Sequence, residues 1–231
     1  VQSSLIDITN GNVNADNETI QFVEQLKEEV SGKGNFVIGH SDVDLMIYDS
    51  EGKRIVRKQE TNIGDFCADA LRSFTDADIA MVNGGGIRTN IKRGEILFND
   101  LYNVMPFGDM IATGTFYGEQ LLDVLEFAVS ALPAEAGTFM QVSGLRFTVA
   151  PDIPSPVMKD TETGMFSHVG EGERRVSHVE ILDKQSGEYK AVELSRQYTI
   201  ATLDYLILEQ GGSGILSCVK PDSIYWGADI E

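Results

Sequence analysis

Hydrophobic residues change their spacing along the chain, and this change constrains the fold more than any other feature of the sequence. In NIGDFCADALRSF, residues 62–74, apolar side chains recur every three or four positions, which is the spacing of an amphipathic helix. The same spacing predicts helices at NETIQFVEQLKEEVSGKG, ending at Gly32, at FNDLYNVM and at FYGEQLLDVLEFAVSAL. After about residue 130 the pattern shifts to the alternation of strands, as in RVSHVEIL. Helices first and strands afterwards predict an α+β fold rather than a regularly alternating parallel sheet.

Short apolar or alternating segments predict the strands. An opening strand is expected at SLIDI, and further strands at FVIGHSDVDLMIY, ADIAMVN, MIATGTF, GLRFTVA, EYKAVEL and QYTIATLDYLIL. Residues 151–175 hold three of the six prolines and show little periodicity. They are expected to form a long surface loop rather than a domain boundary.

The charge balance restricts the partners of the chain. It has 18 Lys and Arg against 36 Asp and Glu, a formal net charge of −18 and a sequence pI of about 4.4. Nucleic-acid polymers and acidic membrane surfaces are therefore disfavoured as partners. A small anion is still compatible with this charge, because charges more than about 8 Å apart are largely screened at physiological salt and nearby arginines dominate.

Membrane insertion and a disulfide framework are also disfavoured. No run approaches the roughly 18 apolar residues of a membrane span, and VQSSLIDITNGN lacks the basic and apolar regions of a signal peptide. The two cysteines, Cys67 and Cys218, have no C-x-x-C spacing. Both are therefore expected to be free, buried thiols.

A triple glycine ends the predicted strand ADIAMVN. The sequence NGGGIR, residues 83–88, has neither the G-x-G-x-x-G register nor the lysine of the common phosphate-binding loops. Glycines let backbone N–H groups approach a ligand closely, Asn83 offers an amide, and Arg88 suits a phosphate. A structural turn explains the glycines equally well, so the pattern alone leaves both interpretations open.

Three further residues suit a nucleotide when they are taken together. Arg57 lies just ahead of the helix at 62–74, Phe107 occupies a Pro-Phe-Gly turn, and Tyr205 precedes a second glycine-rich turn. Two aromatic rings at turns suit a flat heterocycle, since stacking contributes about 1–3 kcal/mol per base. Taken separately, the same residues are a solvated arginine and two core aromatics.

The order of these motifs resembles that of a known family. The motifs are R-x-x-E-x-N-x-G at 57–64, NGGGIR at 83–88, PFG at 106–108, GTFMQVSG at 137–144, and a late aromatic residue before GGSG at 211–214. Together they are similar to the C-terminal domain of 5′-nucleotidases, a family that includes UDP-sugar hydrolases and 2′,3′-cyclic-nucleotide phosphodiesterases. The order of all five is far more specific than any single motif.

The resemblance also implies the extent and architecture of the domain. It covers about residues 35–215 and implies a four-layer α/β/β/α fold. The substrate-binding domain is expected at 35–231, with a linker strand and helix at 1–34 leading into it. An extracellular, periplasmic or cell-surface location is expected from the family.

Substrate-binding residues are carried over from the family position by position. Arg57 and Arg88 are expected to hold the substrate phosphate, and Asn83 to hydrogen-bond near the phosphate or ribose. Phe107 and Tyr205 are expected to clamp the base from opposite sides. These roles define a nucleotide or nucleotide-derived substrate.

Two glycines and two departures from the family pattern complete the expected site. Gly85 leaves room for the ligand in the triple glycine, and Gly137 is expected to line the base pocket with its backbone. Ser213 replaces the acid that usually grips the ribose hydroxyls, so it keeps hydrogen-bonding capacity without the charge. Asp109 stands where many relatives carry an amide, which bears on base preference.

The chain shows no pattern of a metal or catalytic site. Hydrolysis in the family is performed by a separate N-terminal metallophosphatase domain that holds two divalent metal ions. The histidines here, His40, His168 and His178, lie in unrelated segments without D-x-H or G-N-H-[DE] patterns. No cofactor is therefore expected in this chain, which is expected to be inactive alone and to work with a metallophosphatase domain in cis or in trans. A stand-alone module acting in trans and a degenerate structural domain stay open as alternatives.

Overall fold

Helices and several separate sheets make up the structure, a computed structural model that describes residues 16–208 and 214–225. The helices are α1 (Asn17–Gly34), α2 (Asn62–Thr75), α3 (Phe98–Val104), α4 (Gly118–Ala128) and α5 (Asp204–Ile207). The strands are β1 (Val37–Ser41), β2 (Ile79–Asn83), β3 (Gly94–Leu97), β4 (Ile111–Tyr117), β5 (Met140–Ser143), β6 (Leu145–Val149), β7 (Val157–Lys159), β8 (Phe166–Val169), β9 (Val176–Leu182), β10 (Tyr189–Ala191), β11 (Gln197–Leu203) and β12 (Lys220–Tyr225). This mixture confirms the predicted α+β class. No helix in the described part of the chain is long and apolar enough to cross a membrane.

The largest sheet has five strands in the order β12-β4-β11-β2-β5. β11 and β2 are parallel, while the other neighbouring pairs are antiparallel. α2 packs on β2, β5 and β11 and buries the predicted apolar stripe, including Ile63 and Leu71. The Thr61 hydroxyl begins this helix by accepting the N–H of Gly64 at 3.2 Å. The predicted helix at 62–74 is therefore confirmed to within one residue.

The two thiols differ in burial. Cys67 lies in the buried stripe of α2, and burial raises the pKa of its thiol to about 12. Cys218 is half-buried, and the pKa of its thiol is raised to about 11, mainly by burial. Both cysteines are free, so the predicted buried thiol is confirmed for Cys67 and is wrong in degree for Cys218.

Three smaller sheets surround the large one. β10, β9 and β6 form an antiparallel sheet, and β1 pairs with β3. β7 and β8 form a hairpin, and α4 packs on β4, β8 and β9. The Phe127 ring of α4 meets Phe166 of β8 edge to face at 5.2 Å between centroids.

Several predicted elements differ from the structure, and each has a local cause. The expected surface loop at 151–175 contains the hairpin β7–β8, whose Val157 and Phe166 pack on the core. The helix predicted to run to residue 132 ends at Ala128. Pro133 disfavours helical backbone at Leu132.

Two predicted strands are also shorter than expected. The strand over FVIGHSDVDLMIY is regular only in β1. The alternation predicts that Val43, Leu45 and Ile47 are buried, which is confirmed for Leu45 and Ile47 but wrong for Val43, which is exposed. Beyond β1, single bridges from Leu45 to Ile91 and from Tyr48 to Arg54 hold the backbone. QYTIATLDYLIL turns from strand to helix α5 after Leu203. The predicted strand SLIDI lies outside the described residues.

Strand directions bring four loops to one edge of the largest sheet. β2 and β11 are parallel, so Asn83 and Leu203 end them on the same side. β4 and β5 are antiparallel to these neighbours and begin there, since Leu203 pairs with Ile111 and Asn83 pairs with Met140. The loops that follow β2 and β11 therefore meet the loops that precede β4 and β5.

Candidate functional site

A cleft of about 520 Å³ opens at this edge of the sheet, where the four loops meet. Each loop contributes to it: the triple glycine after β2, the Pro-Phe-Gly turn before β4, the segment before β5, and α5 after β11. The lining residues are Asn83, Gly85, Gly86, Phe107, Asp109, Gly137 and Tyr205. Six of them are residues that the sequence selected as substrate-binding.

The triple glycine is required by close packing of backbone. A Cβ on Gly84 would lie 2.2 Å from the carbonyl oxygen of Val56, and a Cβ on Gly85 would lie 2.9 Å from that of Gly137. Real side chains do not tolerate such contacts. The loop thus brings the segments around Val56 and Gly137 against the end of β2.

The backbone N–H groups of the triple glycine do not face a ligand. Gly84 donates to the carbonyl of Phe139 at 2.7 Å, Gly85 to that of Gly137 at 3.0 Å, and Gly86 to that of Asn83 at 2.9 Å. The interpretation in which these N–H groups bind an anion is therefore wrong, because all three already donate hydrogen bonds to carbonyls of the protein. These three N–H groups are therefore not available to bind an anion at this cleft.

Arg57 carries a buried donor without a partner. Its Nε is inaccessible and makes no hydrogen bond, while its carbonyl accepts the N–H of Ala136 at 3.0 Å and so fixes the backbone. Burial lowers the pKa of this guanidinium, and the charges of Arg54 and Arg88 lower it further. Such a group gains stability from a nearby anion, since an anion supplies both an acceptor and an opposite charge.

Arg88 links the triple glycine to the aromatic turn. Its backbone N–H donates to the carbonyl of Val104 at 2.9 Å, and its Nη1 donates to the carbonyl of Gly85 at 3.2 Å. The guanidinium carbon lies 5.7 Å from the centroid of the Phe107 ring. Arg54 is already paired with Glu135 at 2.6 Å, so Arg57 and Arg88 are the cations with capacity for a ligand here.

Asn83 has a hydrogen-bond partner for only one half of its side-chain amide. Its Nδ2 donates to the carbonyl of Gly137 at 3.3 Å, which sets the orientation of the amide. Its Oδ1 is buried and accepts no hydrogen bond from the protein. A buried acceptor without a donor costs stability unless a ligand or water supplies one.

Two aromatic side chains stand at the cleft. Phe107 is 61% exposed and Tyr205 is 37% exposed. The carboxylate of Asp204 accepts the N–H of Met110 at 2.9 Å and of Tyr205 at 2.8 Å, so it joins the two turns that carry the rings. Both aromatics are thus surface groups rather than core residues.

Two positioning residues were missed by the sequence analysis. Asp204 has the signal of an acid directly after a strand, but the strand was predicted to continue through it. Gln141 lies within the quoted GTFMQVSG motif, yet only Gly137 was assigned a role there. The Gln141 side chain is buried, donates to the carbonyls of Val56 at 2.9 Å and Gln59 at 2.8 Å, and accepts the N–H of Thr61 at 3.1 Å. It therefore holds the segment that carries Arg57.

The remaining predictions concern Ser213 and the three histidines. Ser213, and with it the spacing from Tyr205 to the second glycine turn, is outside the described residues. His40 is near Asp42, with Nε2 3.4 Å from Oδ1, while His168 and His178 contact neighbouring serines. Within the described ranges no group of three or more His, Cys, Asp or Glu side chains is placed to hold a metal ion.

Comparison with known proteins defines the family. The chain matches the family model of the 5′-nucleotidase C-terminal domain over residues 37–220, and it belongs to this family. The trifunctional nucleotide phosphoesterase protein YfkN of Bacillus subtilis (strain 168) is 31% identical over 202 residues, which cover 85% of this chain and 12% of that protein. A 5′-nucleotidase of Vibrio cholerae is 32% identical over 139 residues, which cover 60% of this chain and 24% of that protein.

Solved structures agree with this assignment. The 5′-nucleotidase precursor from Thermus thermophilus aligns with a TM-score of 0.71 and 26% identity, covering 91% of this chain and 38% of that one. The layered domain expected from the family resemblance is thereby confirmed as the fold. The chain spans 12% and 24% of the two curated relatives and 38% of the solved structure.

Proposed function

We propose that this chain is the substrate-binding domain of a nucleotide phosphohydrolase of the 5′-nucleotidase type. The base lies between Phe107 and Tyr205, beside the backbone of Gly137. Arg57 and Arg88 hold the phosphate. The observation that carries the proposal is an aromatic-walled cleft beside two arginines, one of which has a buried N–H group without a partner.

The proposed contribution of this domain is positioning. Two rings restrict the base to one plane, and a forked guanidinium restricts the phosphate, so the ester is held in one orientation. Asn83 hydrogen-bonds near the phosphate or ribose, and Ser213 replaces the usual acid at the ribose. Bond cleavage is assigned to two divalent metal ions in a metallophosphatase domain, on the same polypeptide or on a partner, where the metals supply an activated water. This chain alone is then inactive, and an extracellular, periplasmic or cell-surface location is part of the proposal.

Isothermal titration calorimetry tests the proposed site. AMP, GMP and UMP are titrated into the chain beside their nucleosides, and we expect the monophosphates to bind more tightly. Arg88→Ala is expected to weaken monophosphate binding by about 10- to 100-fold, because a hydrogen bond to a charged group contributes about 1.5–3 kcal/mol. Nucleoside binding is expected to change little.

An arginine outside the cleft gives the matched control. Arg196 lies at the other end of β11, with Nη1 3.5 Å from Glu193, so Arg196→Ala removes the same charge without touching the site. If no nucleotide binds, or if both variants lower affinity equally, the proposed site is wrong. Phosphate release by the chain alone from AMP with added Mn²⁺ or Zn²⁺ would contradict its assignment as a domain that only binds.

A further inference from the structure

An ion pair lies beside the arginines that are proposed to hold the phosphate. The Oε2 atom of Glu135 lies 2.6 Å from Nη2 of Arg54 and accepts the Nε–H of the same guanidinium at 2.8 Å. One edge of this guanidinium is therefore occupied by a carboxylate of the protein itself. A carboxylate and a phosphate compete for such an edge, because both bind the fork of N–H groups that a guanidinium presents.

The backbone fixes this pair next to the cleft. Arg54 precedes Arg57 by three residues, and the N–H of Ala136, directly after Glu135, donates to the carbonyl of Arg57 at 3.0 Å. Gly137, two residues after Glu135, lines the cleft. The ion pair and this backbone hydrogen bond thus join the same two segments, one of which carries a proposed phosphate ligand and the other a wall of the cleft.

The charges of the pair act on the proposed phosphate site. Burial lowers the pKa of Arg57 most, the charges of Arg54 and Arg88 lower it further, and the charge of Glu135 raises it. Three guanidiniums and one carboxylate are therefore close enough to affect one another. The carboxylate reduces the charge of this group from +3 to +2, which weakens the attraction for any anion nearby.

The pair is exposed enough to be exchanged for a ligand at little cost. The side chain of Arg54 is 39% exposed and that of Glu135 is 33% exposed. Ion pairs in contact with solvent contribute little to stability, since water and salt screen them and ordering two long side chains costs entropy. Glu135 is therefore better placed to affect anion binding than to hold the fold together.

We infer that Glu135 lowers the affinity of the proposed site for phosphate groups, by occupying Arg54 and by repelling the ligand. The inference rests on the proposed function, because it concerns the phosphate end of the same site. Among mutants of one site, differences in affinity lie mostly in the rate of dissociation. A site weakened in this way releases phosphate faster, which suits a domain that must give up its product after cleavage.

The variant Glu135→Gln keeps the size of the side chain and removes its charge. We expect AMP and inorganic phosphate each to bind about three- to tenfold more tightly, measured by titration calorimetry, while adenosine binding is unchanged. The gain for AMP is expected to shrink at high salt, because salt screens the charge that has been removed. A gain of affinity is not what damage to the fold produces.

Glu180→Gln is the matched control. Glu180 lies in β9 and pairs with Arg146 at the same distance of 2.6 Å, and its side chain is exposed to the same 33%. It is not among the residues that line the cleft. This variant changes the net charge equally and is expected to keep the wild-type affinity for AMP.

The outcomes separate the two claims. If Glu135→Gln leaves AMP affinity unchanged or lowers it, the inference is wrong while the nucleotide site stands. Equal gains in Glu135→Gln and Glu180→Gln would show that only net charge matters, and an equal gain for adenosine would show that the substitution acts on the base; either result overturns the inference. If neither the unmodified chain nor Glu135→Gln binds a monophosphate, the proposed function itself fails.

Discussion

Two clefts of nearly equal volume lie around the segment 56–61, yet they have opposite electrostatic character. The cleft proposed to bind a nucleotide, named the nucleotide cleft, has about 520 Å³, and a second cleft, named the acidic cleft and lined in part by Glu60, Asp65 and Asp69, has about 530 Å³. Beside the first, burial and then the charges of Arg54 and Arg88 lower the pKa of Arg57, so positive charges are close together next to this cleft. In the second, burial and then the charges of Glu60 and Asp69 raise the pKa of Asp65 to about 6, so negative charge is in excess.

The two clefts also differ in how their polar groups are satisfied. In the acidic cleft, Ser143 donates to Asp69 at 2.5 Å, and Arg146 pairs with Glu180 at 2.6 Å while lying over the Tyr189 ring. The nucleotide cleft instead leaves the Nε of Arg57 and the Oδ1 of Asn83 without partners. The two clefts therefore differ in their unpaired buried polar atoms and in the sign of the local charge rather than in volume.

Gln141 fixes the segment between the two clefts, and its substitution is expected to cause the largest loss of stability. Gln141→Leu deprives the carbonyls of Val56 and Gln59 and the N–H of Thr61 of their partner. Each buried group left unpaired costs about 1–3 kcal/mol, so we expect about 3–5 kcal/mol less stability by urea denaturation. Gln120→Leu removes a glutamine that is less buried and makes fewer such bonds, and a comparable loss there would contradict this explanation.

A methyl group at Gly84 is expected to disturb the nucleotide cleft selectively. Gly84→Ala places a Cβ 2.2 Å from the carbonyl oxygen of Val56, and relieving such a contact costs about 1–3 kcal/mol. Gly39→Ala is the control, because a Cβ there has no atom within 4 Å. Thermal denaturation and AMP titration measure the two effects. Equal stability of both variants would show that close approach does not explain the triple glycine.

Substitutions of two adjacent cations, Arg57 and Lys58, distinguish specific anion binding from a general effect of net charge. Arg57→Ala is expected to weaken the binding of GMP and AMP by about 10- to 100-fold, since it removes a charged donor. It is expected to change the free energy of unfolding by less than about 1 kcal/mol. Lys58 lines the acidic cleft, so Lys58→Ala removes the neighbouring charge and is expected to leave affinity unchanged. Titration calorimetry measures both, and equal losses would mean that only net charge matters.

The smallest expected effect is that of Asp65→Asn in the acidic cleft, which is expected to stabilise the protein in a pH-dependent way. The folded-state pKa of Asp65 is about 6 against an ordinary 3.8, so its contribution to stability is present below about pH 4 and is lost as pH rises through 6. Asp65→Asn avoids that loss. We expect its melting temperature to match the wild type at pH 4 and to exceed it at pH 8, with Asp152→Asn showing no such change. A gain that is independent of pH would rule out ionisation as its cause.

The sequence analysis selected six of the seven residues that line the candidate cleft, but it misplaced several borders of the fold. Helix α2 was predicted to within one residue because its stripe is long and its cap at Thr61 is local. The hairpin β7–β8 and the switch from strand to helix at Asp204 were missed, because their stability comes from packing of Phe166 and from contacts with Met110, which are distant in the chain. Gln141 was missed as a positioning residue for the same reason, since its partners lie 80 to 85 positions away.

The sequence by itself determined which residue types were available: two arginines, two aromatics and a run of glycines in a specific order. It left open whether NGGGIR binds an anion or turns the chain, since both use the same local conformational freedom. Only the tertiary structure decided this, by directing the glycine N–H groups to protein carbonyls and bringing Val56 and Gly137 against the loop. Strand pairing is nonlocal, so sequence periodicity does not encode it, and it is the pairing of β2, β11, β4 and β5 that gathers the cleft at one edge of the sheet.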